Sequence, residues 1–209
     1  MNHLHYILLQ GSEQLGLELS TAQQQQLLDY VALLHKWNQA YNLTAIRDPQ
    51  QILIKHLLDA LAVLPYLQGA RWLDVGTGPG IPGLVLAVAR PQWHFHLLDS
   101  NGKKIRFVRQ AIRELGLENV TPVQARVEQY QVDTRFEGII SRAFAELGPF
   151  VRLTRHLLAP AGCWWAMKGH GEREVDTLPQ GVKVARIVDI AVPFLTARRT
   201  LVVLKEADE

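Results

Sequence analysis

The sequence predicts an α/β fold in which a doubly wound, mostly parallel sheet of seven strands follows a helical N-terminal region. Short apolar segments alternate with amphipathic segments from residue 71 onward, whereas the residues before 69 have helical periodicity only. Alternation of this kind is typical of parallel sheets that are covered by helices on both faces. A chain of 209 residues has room for one such domain with a modest extension.

Helix-start signals organise the N-terminal region. Ser20–Gln23 has capping-box spacing, and apolar residues follow it at helical intervals. Asp48-Pro49 is typical of an N-cap followed by proline at the first helical position, and Pro65 is expected to end that helix. We predict that residues 1–68 form a helical region packed on a main domain of residues 69–209, the two making one structural unit.

Seven segments have the apolar character of buried strands. They are Trp72–Val75, His94–Leu98, Val120–Val123, Gly138–Ser141, Cys163–Met167, Val184–Val192 and Thr200–Leu204. Amphipathic stretches near residues 83–89, 103–115 and 146–158 separate several of them and predict helices. Because no helix separates the last two strands, we expect them to form a C-terminal antiparallel hairpin.

Composition limits the classes of protein that the chain can belong to. Apolar residues make up 48% of it, so a sizeable core is available, and the net charge is only +2, so an anionic partner needs a local basic surface. The single cysteine, Cys163, excludes an internal disulfide, and no cluster has metal-ligand spacing. Because no signal peptide or membrane span is visible, we expect a soluble, cytoplasmic protein. Because no cluster has metal-ligand spacing, we also expect it to bind no metal.

A glycine-rich turn follows the first predicted strand. Gly76, Gly78 and Gly80 alternate there, and glycine lets the backbone turn sharply and approach a ligand closely. The G-x-G-x-x-G of Gly78, Gly80 and Gly83 also fits dinucleotide binding. That fingerprint places its first glycine at the strand exit, which here is Gly76, and Pro82 removes an N–H group that a pyrophosphate would need. The turn therefore favours a nucleoside ligand other than a dinucleotide.

Acidic residues end the first two predicted strands. Asp74 precedes the turn, and Asp99 lies nineteen residues after Gly80, near the spacing at which an acid meets ribose hydroxyls. S-adenosylmethionine carries a sulfonium and an ammonium group and no phosphate, which suits Asp74 better than a pyrophosphate does. Asp99 fits either this cofactor or NAD. Capping of the following turns is the alternative explanation for each acid.

The next two strand ends supply further candidates. Val127 and Glu128 follow the third strand, where a backbone N–H or the carboxylate can read an adenine edge. Arg142 ends the fourth strand and is expected to face cofactor or substrate. A solvated acid and a surface salt bridge are the respective alternatives.

Basic residues predict a phosphate-contacting stripe on the helix after the second strand. Arg106, Arg109 and Arg113 share a face at helical spacing, and no acid intervenes before Glu114. A solvated helix face is the alternative. The residues predicted to contact RNA are Lys103, Lys104, Arg106, Arg109 and Arg199.

With S-adenosylmethionine as the cofactor, the chain is expected to transfer a methyl group, and the motifs that the sequence lacks constrain the acceptor of that group. There is no Asn/Asp-Pro-Pro-aromatic tetrapeptide for an exocyclic amine, and Cys163 lies in a predicted core strand, which disfavours a thiolate nucleophile. A ring nitrogen with a free lone pair, such as guanine N7, needs no base, so proximity and alignment can supply most of the catalysis. The sequence accordingly assigns no catalytic residue.

Several motifs occur together from about residue 27 to residue 169. They are Lys36-Trp37-Asn38, Tyr41-Asn42-Leu43-Thr44, His56-Leu57-Leu58-Asp59, Asp74–Gly83, Leu98-Asp99-Ser100 with Lys103-Lys104, Arg126-Val127-Glu128, and Ile140-Ser141-Arg142-Ala143-Phe144. On these residues the sequence resembles the bacterial small-subunit ribosomal RNA guanine-N7 methyltransferases, the glucose-inhibited division protein B family. Ala60 departs from the resemblance, because the family commonly has serine there.

The resemblance implies a Rossmann-like class I methyltransferase fold and N7 methylation of one guanine in the decoding-region loop of 16S ribosomal RNA, free or in the small subunit. It implies S-adenosylmethionine contacts at Gly76, Ile81, Val127, Glu128 and Arg142. The motif residues Asn42, His56 and Asp59 would close over the cofactor or meet RNA, and Asn42 and Arg142 are the candidates for positioning the reactants.

Two other functions stay open from the residues alone. The embedded G-x-G-x-x-G fits an NAD-dependent oxidoreductase, and the N-terminal helices could cap the pocket of a small-molecule methyltransferase.

Overall fold

The computed structural model describes residues 3–207 as helices packed around one central sheet. The helices are α1 (His3–Gln14), α2 (Thr21–Tyr41), α3 (Pro49–Ile52), α4 (Asp59–Val63), α5 (Gly83–Ala89), α6 (Gly102–Leu115) and α7 (Leu147–Thr154). The strands are β1 (Arg71–Val75), β2 (His94–Asp99), β3 (Val120–Gln124), β4 (Phe136–Ser141), β5 (Leu158–Lys168), β6 (Val182–Asp189) and β7 (Thr200–Glu206). A π-helical turn, Leu53–Leu58, joins α3 to α4.

The sheet confirms the predicted doubly wound topology. Its strand order is β3-β2-β1-β4-β5-β7-β6, and neighbouring strands from β3 to β5 are parallel. The C-terminal hairpin is also confirmed, with β7 inserted antiparallel between β5 and β6. The chain runs outward from β1 in both directions, so the carboxyl ends of β1 and β4 form the switch point at which such sheets bind ligands.

The predicted helix starts are present in the N-terminal region. The Ser20 hydroxyl accepts from the backbone N–H of Gln23, and the Gln23 side chain accepts from the backbone N–H of Ser20, which completes a capping box. The Asp48 carboxylate accepts from the N–H of Gln51 at 2.8 Å, and proline occupies the first helical position.

The helix that follows differs from the prediction. It is interrupted by the π-helical turn, and Pro65 lies inside a closing 3₁₀ turn, Leu64–Tyr66, instead of beyond the helix. The turn is bonded from outside the helical region, because Arg142 donates to the carbonyl of Lys55 at 3.1 Å. The irregular turn is therefore in contact with the end of the fourth strand, and the helical periodicity of the sequence could not predict that contact.

The core continues from the N-terminal helices into the sheet. Leu27, Tyr30 and Leu57 belong to the same buried apolar cluster as Trp72 and Phe95 of the strands. Residues that alternate with these along the strands face a second cluster on the other side of the sheet. Every α-helix before β1 thus buries apolar side chains in or against the first of these clusters. The division of the chain into two regions after residue 68 stays a prediction.

Replacing Gly138 with alanine is expected to destabilise the fold by about 1–3 kcal/mol, because a methyl group there would overpack the core. A Cβ on Gly138 would lie 2.3 Å from Cζ3 of Trp72, which is fully buried. Urea denaturation measures the effect. The matched control is Gly169→Ala, whose Cβ would meet nothing closer than 3.9 Å, and equal loss in both variants would contradict the packing argument.

Candidate functional site

A buried carboxylate closes the glycine turn after β1. Asp74 has no exposed surface, and its Oδ2 accepts hydrogen bonds from Thr77 Oγ1 at 2.7 Å and from the backbone N–H of Gly83 at 2.8 Å. Burial raises the pKa of this carboxyl to about 7, although both hydrogen bonds oppose the shift. Asp74 therefore ties the end of β1 to the start of α5 and sets the shape of the turn.

Glycine is required at two positions of the turn for different reasons. Gly76 has φ +67°, and a Cβ there would lie 2.9 Å from Cδ2 of Phe144. Gly83 allows α5 to approach β2, because its Cβ would lie 2.0 Å from Cδ2 of Leu97. The turn consequently presents bare backbone at its outer side and packs closely against the sheet at its inner side.

A cavity of about 290 Å³, here called the turn cavity, opens beside the glycine turn at the carboxyl ends of the strands. Its lining residues are Gly76, Leu98, Asp99, Ser100, Lys104, Ala125, Arg126, Val127, Glu128, Ala143 and Phe144. Asp99 Oδ2 accepts from the N–H of Gly78 at 3.0 Å, and its Oδ1 accepts from the N–H of Asn101 at 2.8 Å. These bonds fix a carboxylate at the end of β2, in the wall of the cavity.

The groups around the turn cavity fit a nucleoside with a cationic portion. The Asp99 carboxylate keeps acceptor positions beyond its two backbone bonds, as ribose hydroxyls require. Val127 is buried and Phe144 partly buried, which gives apolar walls for a base, while Glu128 is exposed at the rim. S-adenosylmethionine offers hydroxyl, base and cationic groups to such a donor and acceptor set.

A second cavity of about 290 Å³, here called the arginine cavity, lies between the π-helical turn and the ends of β4, β5 and β7. It is lined by Ile46, Lys55, His56, Asp59, Arg142, Met167, Lys168, Gly169 and Arg199. Arg142 Nη1 lies 3.7 Å from Asp59 Oδ2, and Arg199 Nε donates to Asp59 Oδ1 at 3.1 Å. Burial raises the pKa of Asp59, and the two arginines oppose that shift.

His56 is held in one protonation state by its surroundings. Its Nδ1 lies 2.8 Å from Arg142 Nη1, and its Nε2 lies 2.9 Å from the Thr44 hydroxyl. Because a guanidinium only donates, Nδ1 accepts and Nε2 carries the hydrogen. Burial and the positive charge of Arg142 lower the pKa of His56 to about 3, so the imidazole is neutral near pH 7. The side chain positions Arg142 and does not exchange protons at neutral pH.

The structure gathers part of the predicted cofactor set in one place. Gly76, Asp99, Val127 and Glu128 all line the turn cavity. Four other predicted residues lie buried in or beside the turn without lining it, and Arg142 lines the arginine cavity instead. These four are Asp74, Gly78, Gly80 and Ile81. Cofactor contact by any of these residues stays a prediction.

The positioning candidate Asn42 lies outside both cavities. It is the C-cap of α2 in the left-handed conformation, with φ 50°, and its side chain accepts a hydrogen bond from Arg47. The turn after α2 is fixed by Asn38, whose Oδ1 accepts from the N–H of Thr44 at 2.9 Å. Asn42 thus shapes the segment that carries Thr44 to His56.

The predicted basic stripe is exposed along α6. Lys103, Arg106 and Arg109 are exposed and have no ion-pair partner within the described part of the chain. Lys104 turns toward the turn cavity, 3.9 Å from Asp99, and Arg199 turns inward to Asp59. The stripe therefore begins at the rim of the turn cavity and runs away from it along the helix.

Lys55 is a cavity residue that sequence reasoning missed. It lies in the π-helical turn, far in sequence from β4, and only the tertiary fold brings it beside Arg142. Its position next to the His56 motif residue is the one local signal that could have identified it.

Other features of the described residues do not compete with this site. A larger cavity, about 580 Å³, lies near the amino ends of β2 and β3, opposite the ligand-binding edge of doubly wound sheets. No helix within residues 3–207 has the length and apolar character needed to cross a membrane. The same residues contain no group of three or more potential metal ligands.

Solved structures share the fold of this chain. TrmN from Thermus thermophilus superposes with a TM-score of 0.58 at 20% identity, covering 70% of this chain and 48% of that one. A SAM-dependent methyltransferase from Aquifex aeolicus superposes with a TM-score of 0.54 at 19% identity, covering 75% and 93%. At these identities the likeness shows the fold, which is the predicted Rossmann-like methyltransferase fold.

Sequence comparison is more specific. Residues 23–202 match the family model of rRNA small subunit methyltransferase G. Ribosomal RNA small subunit methyltransferase G of Klebsiella pneumoniae is 50% identical over 194 residues, covering 92% of this chain and 94% of that protein. The protein of the same description from Pectobacterium carotovorum is 52% identical over 192 residues, covering 91% and 93%. The chain is therefore a methyltransferase that belongs to the rRNA small subunit methyltransferase G family.

Proposed function

We propose that this protein uses S-adenosylmethionine to methylate N7 of a guanine in the decoding-region loop of 16S ribosomal RNA, in the cytoplasm. The observation that carries the proposal is the pair of adjoining cavities at the switch point of the sheet. One suits a nucleoside cofactor, and the other is lined by cations that suit an RNA acceptor. The relatives at 50% and 52% identity are named as small-subunit ribosomal RNA methyltransferases, which supports the same substrate class.

We assign the cofactor to the turn cavity. Asp99 would hold the ribose hydroxyls, and Val127 and Glu128 would meet the base. Asp74 acts through the turn that it closes, and it holds the bare backbone of Gly76 beside Phe144. When bound, the cofactor supplies an electrophilic methyl group that the lone pair of guanine N7 takes without loss of a proton.

The side chains of the site agree with a reaction that needs no general base. The imidazole nitrogens of His56 are both engaged, by Arg142 and by Thr44. Asp74 has no exposed surface. Catalysis by this chain therefore consists of holding two reactants in line and excluding water from them.

The start of α5 argues against an NAD-dependent oxidoreductase. Pro82 occupies the N-cap position and has no N–H group, and the N–H of Gly83 already donates to Asp74. A pyrophosphate at this helix end would lack the donors that dinucleotide sites provide.

We also propose that residues 1–68 and 69–209 work as one unit. The hydroxyl of Tyr30, on α2, donates to the carbonyl of Pro79 in the glycine turn at 2.8 Å. His56 and Asp59 contact Arg142 across the same boundary. The helical region thus supports the cofactor turn and completes the arginine cavity.

Filling the turn cavity is expected to abolish cofactor binding. Ala143→Trp places an indole in the cavity from an exposed lining position, so S-adenosylmethionine affinity measured by calorimetry should fall at least about 100-fold. Ala197→Trp, at an exposed position outside this cavity, is the matched control and should bind normally. Wild-type binding of NAD, or full S-adenosylmethionine affinity in Ala143→Trp, would contradict the assignment.

Reversing one charge of the basic stripe is expected to weaken RNA binding alone. Arg106→Glu should lower affinity for small-subunit RNA about tenfold in low salt and reduce the salt dependence, with calorimetric cofactor affinity unchanged. Arg135→Glu makes the same charge change just before the amino end of β4, opposite the carboxyl ends of the strands where the two cavities lie. It serves as the control. Equal effects of the two variants would remove the stripe from the RNA-binding surface.

Mapping N7-methylguanine tests the substrate. Ribosomal RNA from cells that lack this gene should miss one N7-methylguanine in the decoding-region loop of 16S RNA, and the purified protein with S-adenosylmethionine should restore it. A modification pattern identical to that of wild-type cells would overturn the substrate assignment.

A further inference from the structure

The arginine cavity contains a carboxylate with unused hydrogen-bonding capacity. Asp59 is 3% exposed, and each of its oxygens faces one arginine, Arg142 at 3.7 Å and Arg199 at 3.1 Å. An ionised carboxylate has about four acceptor positions, so these two contacts leave some of them free. Because Asp59 is also a lining residue, the free positions are available to a molecule in the cavity.

The cations around this carboxylate are not equivalent. Arg142 and Arg199 are engaged by Asp59, and Lys168 Nζ donates to the Ala145 carbonyl at 2.6 Å and lies 3.0 Å from Glu174. The Lys55 ammonium has no hydrogen-bond or ion-pair partner among residues 3–207. The cavity therefore offers one free cation and one carboxylate, which are the groups that bind a phosphate and a base edge with N–H donors.

The arginine cavity also lies where an acceptor has to be. Arg142 lines it, and the next two residues, Ala143 and Phe144, line the turn cavity. A base in the first cavity is thus separated from a cofactor in the second by one short segment at the end of β4. The apolar side chains of Ile46 and Met167 supply surface for the faces of a planar ring.

We propose that the arginine cavity binds the acceptor guanine nucleotide, with Asp59 accepting from its N1–H and N2–H groups and Lys55 contacting its phosphate. This inference rests on the proposed function and adds the group that selects guanine. Binding through the Watson–Crick edge leaves N7, on the other edge, free to react. Adenine has no N1–H and no 2-amino group, so the carboxylate rejects it.

The test compares guanosine with inosine, which lacks the 2-amino group, at the target position. Fluorescence anisotropy without cofactor measures binding to free RNA or reconstituted small subunits, whichever the wild-type protein methylates. Wild-type protein should bind the inosine substrate about tenfold more weakly, because one hydrogen bond to a charged group is lost. In Asp59→Asn the ratio of the two affinities should fall toward one, because the amide has a single acceptor oxygen: when that oxygen accepts from N1–H, the amide N–H₂ faces the 2-amino group, which then gains no hydrogen bond. Lys55→Met should weaken both substrates equally and preserve the ratio.

A third variant tests the location without disturbing the ion pairs. Ile46→Trp fills the cavity from a partly buried position and should abolish discrimination and turnover while calorimetric cofactor affinity is retained. Its control is Ala191→Trp, exposed in the β6–β7 loop. The inference would be overturned if the wild-type protein bound the guanosine and inosine substrates equally, or if Asp59→Asn left the ratio of the two affinities unchanged. Normal turnover in Ile46→Trp would also overturn it. Failure of wild-type protein to methylate guanosine would instead contradict the proposed function.

Discussion

The buried carboxylate of Asp74 is the constraint on which the ligand-binding edge depends. It accepts from Thr77 and from the N–H of Gly83, so a single side chain fixes the beginning and the end of the glycine turn. Removing a carboxylate completely from water is costly, and its raised pKa of about 7 reflects that cost. The two hydrogen bonds and the packing of α5 on β2 offset part of this cost, and the same turn places the backbone of Gly76 at the cavity.

Arg142 performs a comparable function between the two halves of the site. From the end of β4 its guanidinium reaches the Lys55 carbonyl, the His56 ring and the Asp59 carboxylate, all in the N-terminal helical region. These contacts hold the π-helical turn against the sheet and line the arginine cavity. Because a guanidinium cannot release its proton and imposes a fixed fork of donors, it also fixes His56 as a neutral acceptor. The arginine therefore acts as a structural junction as well as a cavity residue.

The sequence predicted the fold well, because strand alternation and helix caps are local signals. Short-range patterns account for the capping box at Ser20, the start of α5 at Gly83 and the hairpin between β6 and β7. The site was predicted only in part. Asp99 and Val127 end or follow strands, so topology places them together, but the presence of Lys55 in a cavity depends on how a helix irregularity packs on β4. Such a contact joins residues far apart in sequence and leaves no periodic trace.

The distribution of charge suits the reaction proposed for this protein. Methyl transfer to guanine N7 moves one positive charge from a sulfonium to a purine ring, so a carboxylate in each cavity stabilises the cation before and after the transfer. Asp99 and Glu128 line the turn cavity, and Asp59 lines the arginine cavity. Among residues 3–207, Lys55 has no ion-pair partner, nor have Lys103, Arg106 and Arg109 on α6, and these cations lie where phosphates can meet them. A chain with a net charge of only +2 can thus attract RNA at its surface and still place a carboxylate in each of the two cavities.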